Sequence, residues 1–134
     1  AGAYGVYNND PLNAVIYGNL YNWYTVDDDR GVCPDGFHVP TDEEFMELEM
    51  ELGMSESEAN DMNWRGTNEG SKLAGNSDLW SSGNLENNSE FGTSGFAAFP
   101  GGARHSDDGT FFLIGEVGIF ALLKMMSIQA NMSK

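Results

Sequence analysis

The residues in this chain best suited to chemistry are carboxylates. Asp27, Asp28 and Asp29 form one run, and Asp107 with Asp108 a second. Hard oxygen donors of this kind suit Ca²⁺. Neither run has the spacing of an EF-hand loop, and turn capping with solvation competes as the explanation for both. Asp27, Asp28 and Asp29 are the candidate metal ligands, and Ca²⁺ is the one cofactor the sequence suggests. There are two histidines. His38 lies between Phe37 and Val39 beside a proline and reads as structural, and His105 reads as a solvated loop residue. Cys33 is the single cysteine, which excludes an internal disulfide and any CxxC pair. No HExxH, P-loop, GxSxG or dinucleotide-binding motif occurs. Among 21 acids no constellation singles out the paired carboxylates of a glycosidase. Trp23, Trp64 and Trp80 could stack on sugar rings where exposed, and would anchor the core or loops where buried. The chemistry on offer is that of binding rather than catalysis.

A chain of 134 residues fits one domain, and 40% hydrophobic content supplies a core. The net charge is −15, from 21 acids and 6 bases. Such a surface repels phosphate backbones and anionic membranes, so nucleic acid and lipid docking are disfavoured. Divalent cations, cationic partners and neutral ligands such as glycans remain compatible, and solubility alone would also explain the acidity. No apolar run of about 18 residues is present, so no membrane insertion is expected. No basic, then apolar, leader opens the chain.

Several elements can be read locally. Residues 1–24 are rich in Tyr and Asn, and Ala14 to Tyr24 is compatible with either strand or helix. Cys33-Pro34-Asp35-Gly36 reads as a turn. Thr41 with Glu44 gives a capping box, and Phe45, Leu48 and Leu52 then recur on one face before Gly53. This pattern predicts a helix over 41–52. A second capping pattern at Ser55 to Glu58 opens a short helix through Met62. From Trp64 to Gly102 the chain is rich in Gly, Asn and Ser, with isolated apolar anchors that argue for ordered loops. Asp107-Asp108-Gly109 reads as a hairpin turn leading into a strand from Thr110 to Ile114.

Four longer motifs carry a family resemblance. They are Tyr17 to Tyr24, Cys33 to Phe45, Arg65 to Leu73 and Ser94 to Gly102. Over roughly residues 14–120 the chain resembles the Fibrobacter succinogenes major paralogous domain, found in secreted and surface proteins. The Val39-Pro40-Thr41-Asp42-Glu43-Glu44-Phe45 segment also resembles the helix start of formylglycine-generating and C-type-lectin-like domains. The resemblance implies an α+β, C-type-lectin-like fold: small twisted antiparallel sheets, one or two helices, and long Gly/Asn-rich loops. A formylglycine-generating oxidase would, by the same resemblance, need paired cysteines, and this chain has one. Family members have an earlier N-terminal segment, and a late cysteine that would be the natural partner of Cys33.

Residues 1–120 are thus expected to form a single domain lacking its usual start, followed by an atypical tail over 121–134. After Glu116 the tail carries no acid. One choice of codons for Ala121 onward, read after skipping two bases, begins Ser-Thr-Glu like the family's terminal motif, so a frameshift is one expected origin. The apolar tail is expected to drive self-association through Phe120, Leu123 and Met126. The functional expectation is an extracellular or bacterial cell-surface binding or adhesion module for a glycan or protein. The alternative is a subunit that assembles with copies of itself into a surface layer or filament.

Overall fold

The computed structural model describes residues 2–62 and 64–119. Five short α-helices alternate with two small antiparallel sheets and long ordered loops. In chain order the elements are β1 (Tyr4–Gly5), α1 (Pro11–Tyr17), β2 (Leu20–Tyr21), α2 (Trp23–Val26), α3 (Asp42–Glu51), α4 (Glu56–Ala59), α5 (Glu69–Leu73), β3 (Ala103–Arg104) and β4 (Phe111–Phe112). β1 pairs with β2 through Tyr4↔Tyr21 and Gly5↔Leu20. β3 pairs with β4 through Ala103↔Phe112 and Arg104↔Phe111. The small antiparallel sheets match expectation, whereas the helix count exceeds the one or two expected. The additional helices are only four to seven residues long, too short to print a 3.6-residue periodicity.

Local hydrogen bonds explain where most elements begin. The segment that reads as strand or helix contains both. Asp10 caps α1 by accepting the Leu12 amide at 3.0 Å, with Pro11 preset for the first turn. Gly18, at φ 79°, then breaks the helix before β2. The Asn22 side chain caps α2 by accepting the Thr25 amide at 3.1 Å. α3 starts on a complete capping box: Glu44 N donates to Thr41 Oγ1 at 3.2 Å, and Thr41 N donates to Glu44 Oε2 at 2.8 Å. Ser55 and Glu58 repeat this arrangement at α4. α4 stops at Ala59 rather than Met62: Asp61 N donates to the Glu58 carbonyl at 3.0 Å, three residues back, which tightens the last turn instead of continuing the helix. The turn after Cys33 is closed one residue later than read, by Phe37 N donating to the Pro34 carbonyl at 3.0 Å. The strand expected over 110–114 shrinks to Phe111–Phe112, since Leu113 adopts a left-handed φ of 62° and opens a turn.

The core sits between α3, α5 and the loop that follows α5. Phe45 and Leu73 are buried, with Leu48 and Leu52 packed against them. The ring of Phe96 meets that of Phe45 edge-on at 6.5 Å. Two of the family-like motifs dock on each other here. The amides of Gly92, Ser94 and Ala98 donate to the carbonyls of Ser71, Lys72 and Leu73, and Gly75 N returns a bond to Ala98 O. A Cβ on Gly75 would lie 2.5 Å from Ala97 Cα, so this contact requires glycine. Trp80 is buried and its indole donates to the Gly75 carbonyl at 3.1 Å. The glycine-rich loop is therefore held as a built structure.

A buried ion pair closes the same region. Arg65 Nε and Nη2 reach Glu49 Oε1 and Oε2 at 3.2 and 2.6 Å, while Nη1 donates to the Asp61 carbonyl at 2.9 Å. Their side chains are only 6% and 3% exposed. Nearby, Lys72 Nζ donates to the Leu52 carbonyl at 2.5 Å, and Asn68 donates to Glu90. The Arg65 to Leu73 motif is thus a structural clamp between α3, α5 and the loop.

Candidate binding face

Charge is distributed unevenly in this acidic chain. Residues 1–26 contain one charged side chain, Asp10, together with all five tyrosines. Asp10 is engaged in capping α1, so the rest of this segment presents a neutral surface.

Its conformation is fixed by bonds between the strand β1 region and α2. Ala3 N donates to Asn22 Oδ1 at 2.9 Å and Asn22 N donates to the Ala3 carbonyl at 3.1 Å. The Thr25 hydroxyl lies 3.0 Å from that same carbonyl. Tyr4 and Tyr21 face each other across the β1–β2 pair, ring centroids 6.3 Å apart and tilted by 42°. Tyr4 is 68% exposed, and Tyr21 and Tyr24 are exposed too. Tyr7 differs: it is buried, packed at 5.2 Å on Phe111.

Beside Tyr4 an open depression of about 320 Å³ is lined by Gly2, Ala3, Tyr4 and Thr25 and by Asp28, Arg30, Gly31 and Val32. Arg30 N, Nε and Nη2 all donate to the Asp28 carboxylate, at 3.0, 2.7 and 2.6 Å. These bonds, with the side-chain bonds first, hold the Asp28 carboxyl well below the usual carboxylate range and push Arg30 up. The two stay ionised and neutralise each other, so the charged groups lining the depression cancel, with the exposed Asp27 and Asp29 outside the lining on either side of Asp28. Along the same segment α1 buries no residue and exposes Leu12, Val15 and Ile16, with Val15 84% exposed.

The residues singled out from sequence are placed as follows. Asp28, of the Asp27–Asp29 run, has both oxygens facing Arg30 rather than an open coordination site. Among the described residues no group of three or more His, Cys, Asp or Glu side chains is gathered to hold a metal ion. Asp108 accepts the Thr110 amide and hydroxyl at 2.9 and 2.7 Å, so it serves the hairpin turn. These bonds, the amide first, lower its pKa. His38 is exposed, with Nε2 2.9 Å from both Glu44 carboxylate oxygens, so it supports the α3 cap from outside the core. The His105 ring stacks on Phe112 at 4.2 Å. Cys33 is free and half-buried. Of the tryptophans, Trp80 is core, Trp23 half-buried and Trp64 exposed. Phe120, Leu123 and Met126 lie outside the described residues. Sequence reasoning missed the tyrosine face as a site, although the signal was legible as five tyrosines in a stretch with a single charge. It also missed the Glu49–Arg65 pair, for which spacing carried no signal.

Among the described residues no helix is long and apolar enough to cross a membrane. No curated protein and no solved structure matches this chain. A family model described as the Fibrobacter succinogenes major domain matches residues 1–126, which is wider at both ends than the motif-bearing stretch 14–120. With the match spanning nearly the whole chain and its motifs forming the clamp around α5, this chain belongs to the Fibrobacter succinogenes major domain family.

Proposed function

We propose that this domain is a non-enzymatic binding or adhesion module displayed outside the cell or on a bacterial surface, and that its ligand meets the tyrosine face. The carrying observation is the concentration of exposed, uncharged aromatic surface at Tyr4, Tyr21 and Tyr24 on a chain of net charge −15. Exposed tyrosines offer large contact area and a hydroxyl with few rotamers to immobilise, which suits recognition. The scaffold reads as C-type-lectin-like, supported by small antiparallel sheets, short helices and long loops pinned to a core. Nucleic acid and anionic lipid are excluded from the reading by the acidic surface.

One observation favours a second reading, self-assembly into a surface layer or filament. α1 exposes Leu12, Val15 and Ile16 with no charge between Pro11 and Val26, so copies could meet there with the least repulsion. Arrays of extracellular glycans and proteins, probed with the wild type and a Tyr4→Ala/Tyr21→Ala/Tyr24→Ala variant and run beside sizing chromatography, separate the two. A monomer with tyrosine-dependent ligands supports the binding module. A polymer without ligands, unchanged by the tyrosine replacements, supports assembly.

A further inference from the structure

We infer that the depression beside Tyr4 is a subsite for a neutral oligosaccharide, with Tyr4 as its stacking ring, Tyr21 as a second ring just outside it, and Asp28 and Arg30 as its polar side. This inference rests on the binding-module reading and assigns a ligand class to the same face.

Three features of the site select the class. The first is shape. An open, shallow depression of about 320 Å³ lies at the lower end of ligand-site volumes, which run from about 300 to 1,000 Å³. It suits a small rigid ring lying flat better than an inserted side chain. The second is the pairing of an aromatic face with fixed polar groups. Sugar rings carry apolar C–H faces and equatorial hydroxyls, so they need a π-surface on one side and a hydrogen-bonding rim on the other. Tyr4, which lines the depression, supplies the first, and Tyr21, outside the lining, offers a second ring 6.3 Å away on a face tilted by 42°. The Asp28 carboxylate and the highly exposed Arg30 guanidinium supply the second. Because they are already bonded to each other, both are held in position and lose little freedom when a hydroxyl arrives.

The third feature is charge. Arg30 is the only Lys or Arg among residues 1–64, and its charge is neutralised by Asp28. An anionic ligand would find no free positive charge there and would meet the field of a −15 protein. Inside the depression a cationic ligand would have to compete with Arg30 for Asp28, the one acid among the lining residues. A neutral polyol does neither. It can accept from the guanidinium N–H groups and donate to the carboxylate without breaking the pair.

The test is titration calorimetry of the full chain with cellohexaose, maltohexaose and mannohexaose, and with an oligogalacturonate of the same length as the anionic control. Binding of at least one neutral hexasaccharide is expected, with an affinity nearly independent of salt. Tyr4→Ala and Tyr21→Ala should each weaken it by about tenfold. Arg30→Gln should weaken it as well, because the polar side loses its fixed geometry. Met62→Ser, exposed beyond α4 and outside residues 1–32, should leave it unchanged. Unfolding curves for each variant separate loss of binding from loss of fold. Absence of neutral-sugar binding at about 10 mM ligand, preference for the oligogalacturonate, or neutral binding indifferent to Tyr4 and Tyr21 would each overturn the inference. A defined protein ligand on the arrays that depends on Tyr4, with no sugar bound, would leave the binding-module reading standing and remove the glycan assignment.

Discussion

Replacing Arg65 with methionine strands a carboxylate in the core. Glu49 and Arg65 are 3% and 6% exposed, joined by two bonds of 3.2 and 2.6 Å, and a third Arg65 bond holds the Asp61 carbonyl. Removing one partner of such a pair costs about 3–5 kcal/mol, because the remaining charge stays desolvated without compensation. Against a total stability of about 5–15 kcal/mol, Arg65→Met should remove a fifth or more of the fold's margin. Glu49→Met should do the same, since the guanidinium is then orphaned. The double variant should regain most of that loss. Two methionines of similar volume leave no buried charge, so Glu49→Met/Arg65→Met should recover to within about 1–2 kcal/mol of wild type. The assay is urea unfolding followed by tryptophan fluorescence, with a full double-mutant cycle. Single losses below about 1 kcal/mol would refute the argument, because they would mean that water reaches the pair. A double variant worse than either single one would refute it too, because the pair would then matter for more than mutual neutralisation.

Other perturbations test separate parts of the fold. Gly75→Ala places a Cβ 2.5 Å from Ala97 Cα, and should lower stability by about 1–3 kcal/mol in the same urea assay. Thr41→Ala removes the α3 cap and should cost about 0.5–2 kcal/mol, with amide exchange showing the first turn of α3 opening first. Backbone bonds from Thr41, then His38, lower the Glu44 pKa, and Ser55 lowers that of Glu58. A lowered folded-state pKa gives stability that is full above the unfolded value and lost as pH falls through the folded one. Thermal unfolding of wild type should therefore weaken below the ordinary glutamate value of about 4.3, and Glu44→Gln/Glu58→Gln should flatten that limb. Calorimetry with Ca²⁺ should show weak binding or none at Asp27, Asp28 and Asp29, since Asp28 is held by Arg30. A tight one-to-one Ca²⁺ complex would overturn that.

The sequence by itself determined what is settled within about four residues of chain. Thr41 with Glu44, and Ser55 with Glu58, form their capping boxes because donor and acceptor lie three positions apart on the same turn. The Asp107-Asp108-Gly109 turn follows for the same reason, as does the family, whose motifs are contiguous. Charge distribution was equally available, since it needs no coordinates. Short helices without a capping box were not legible: α1, α2 and α5 are too short for periodicity, and Leu113 ends β4 by a backbone angle that its residue type disfavours. Contacts across long separations were decided only by the tertiary structure. Glu49 and Arg65 are 16 residues apart, and nothing local distinguishes Glu49 from the chain's other 20 acids as the partner. The path of the loop after α5 brings Ser94 and Ala98 onto Lys72 and Leu73, and thereby orders that loop. The same holds for the tyrosines: five look alike in sequence, yet packing on Phe111 buries Tyr7 while pairing across β1 and β2 leaves Tyr4 and Tyr21 exposed. Local bonding is chosen by neighbours in the chain, whereas burial is chosen by whichever surfaces folding brings together, and that choice made the face.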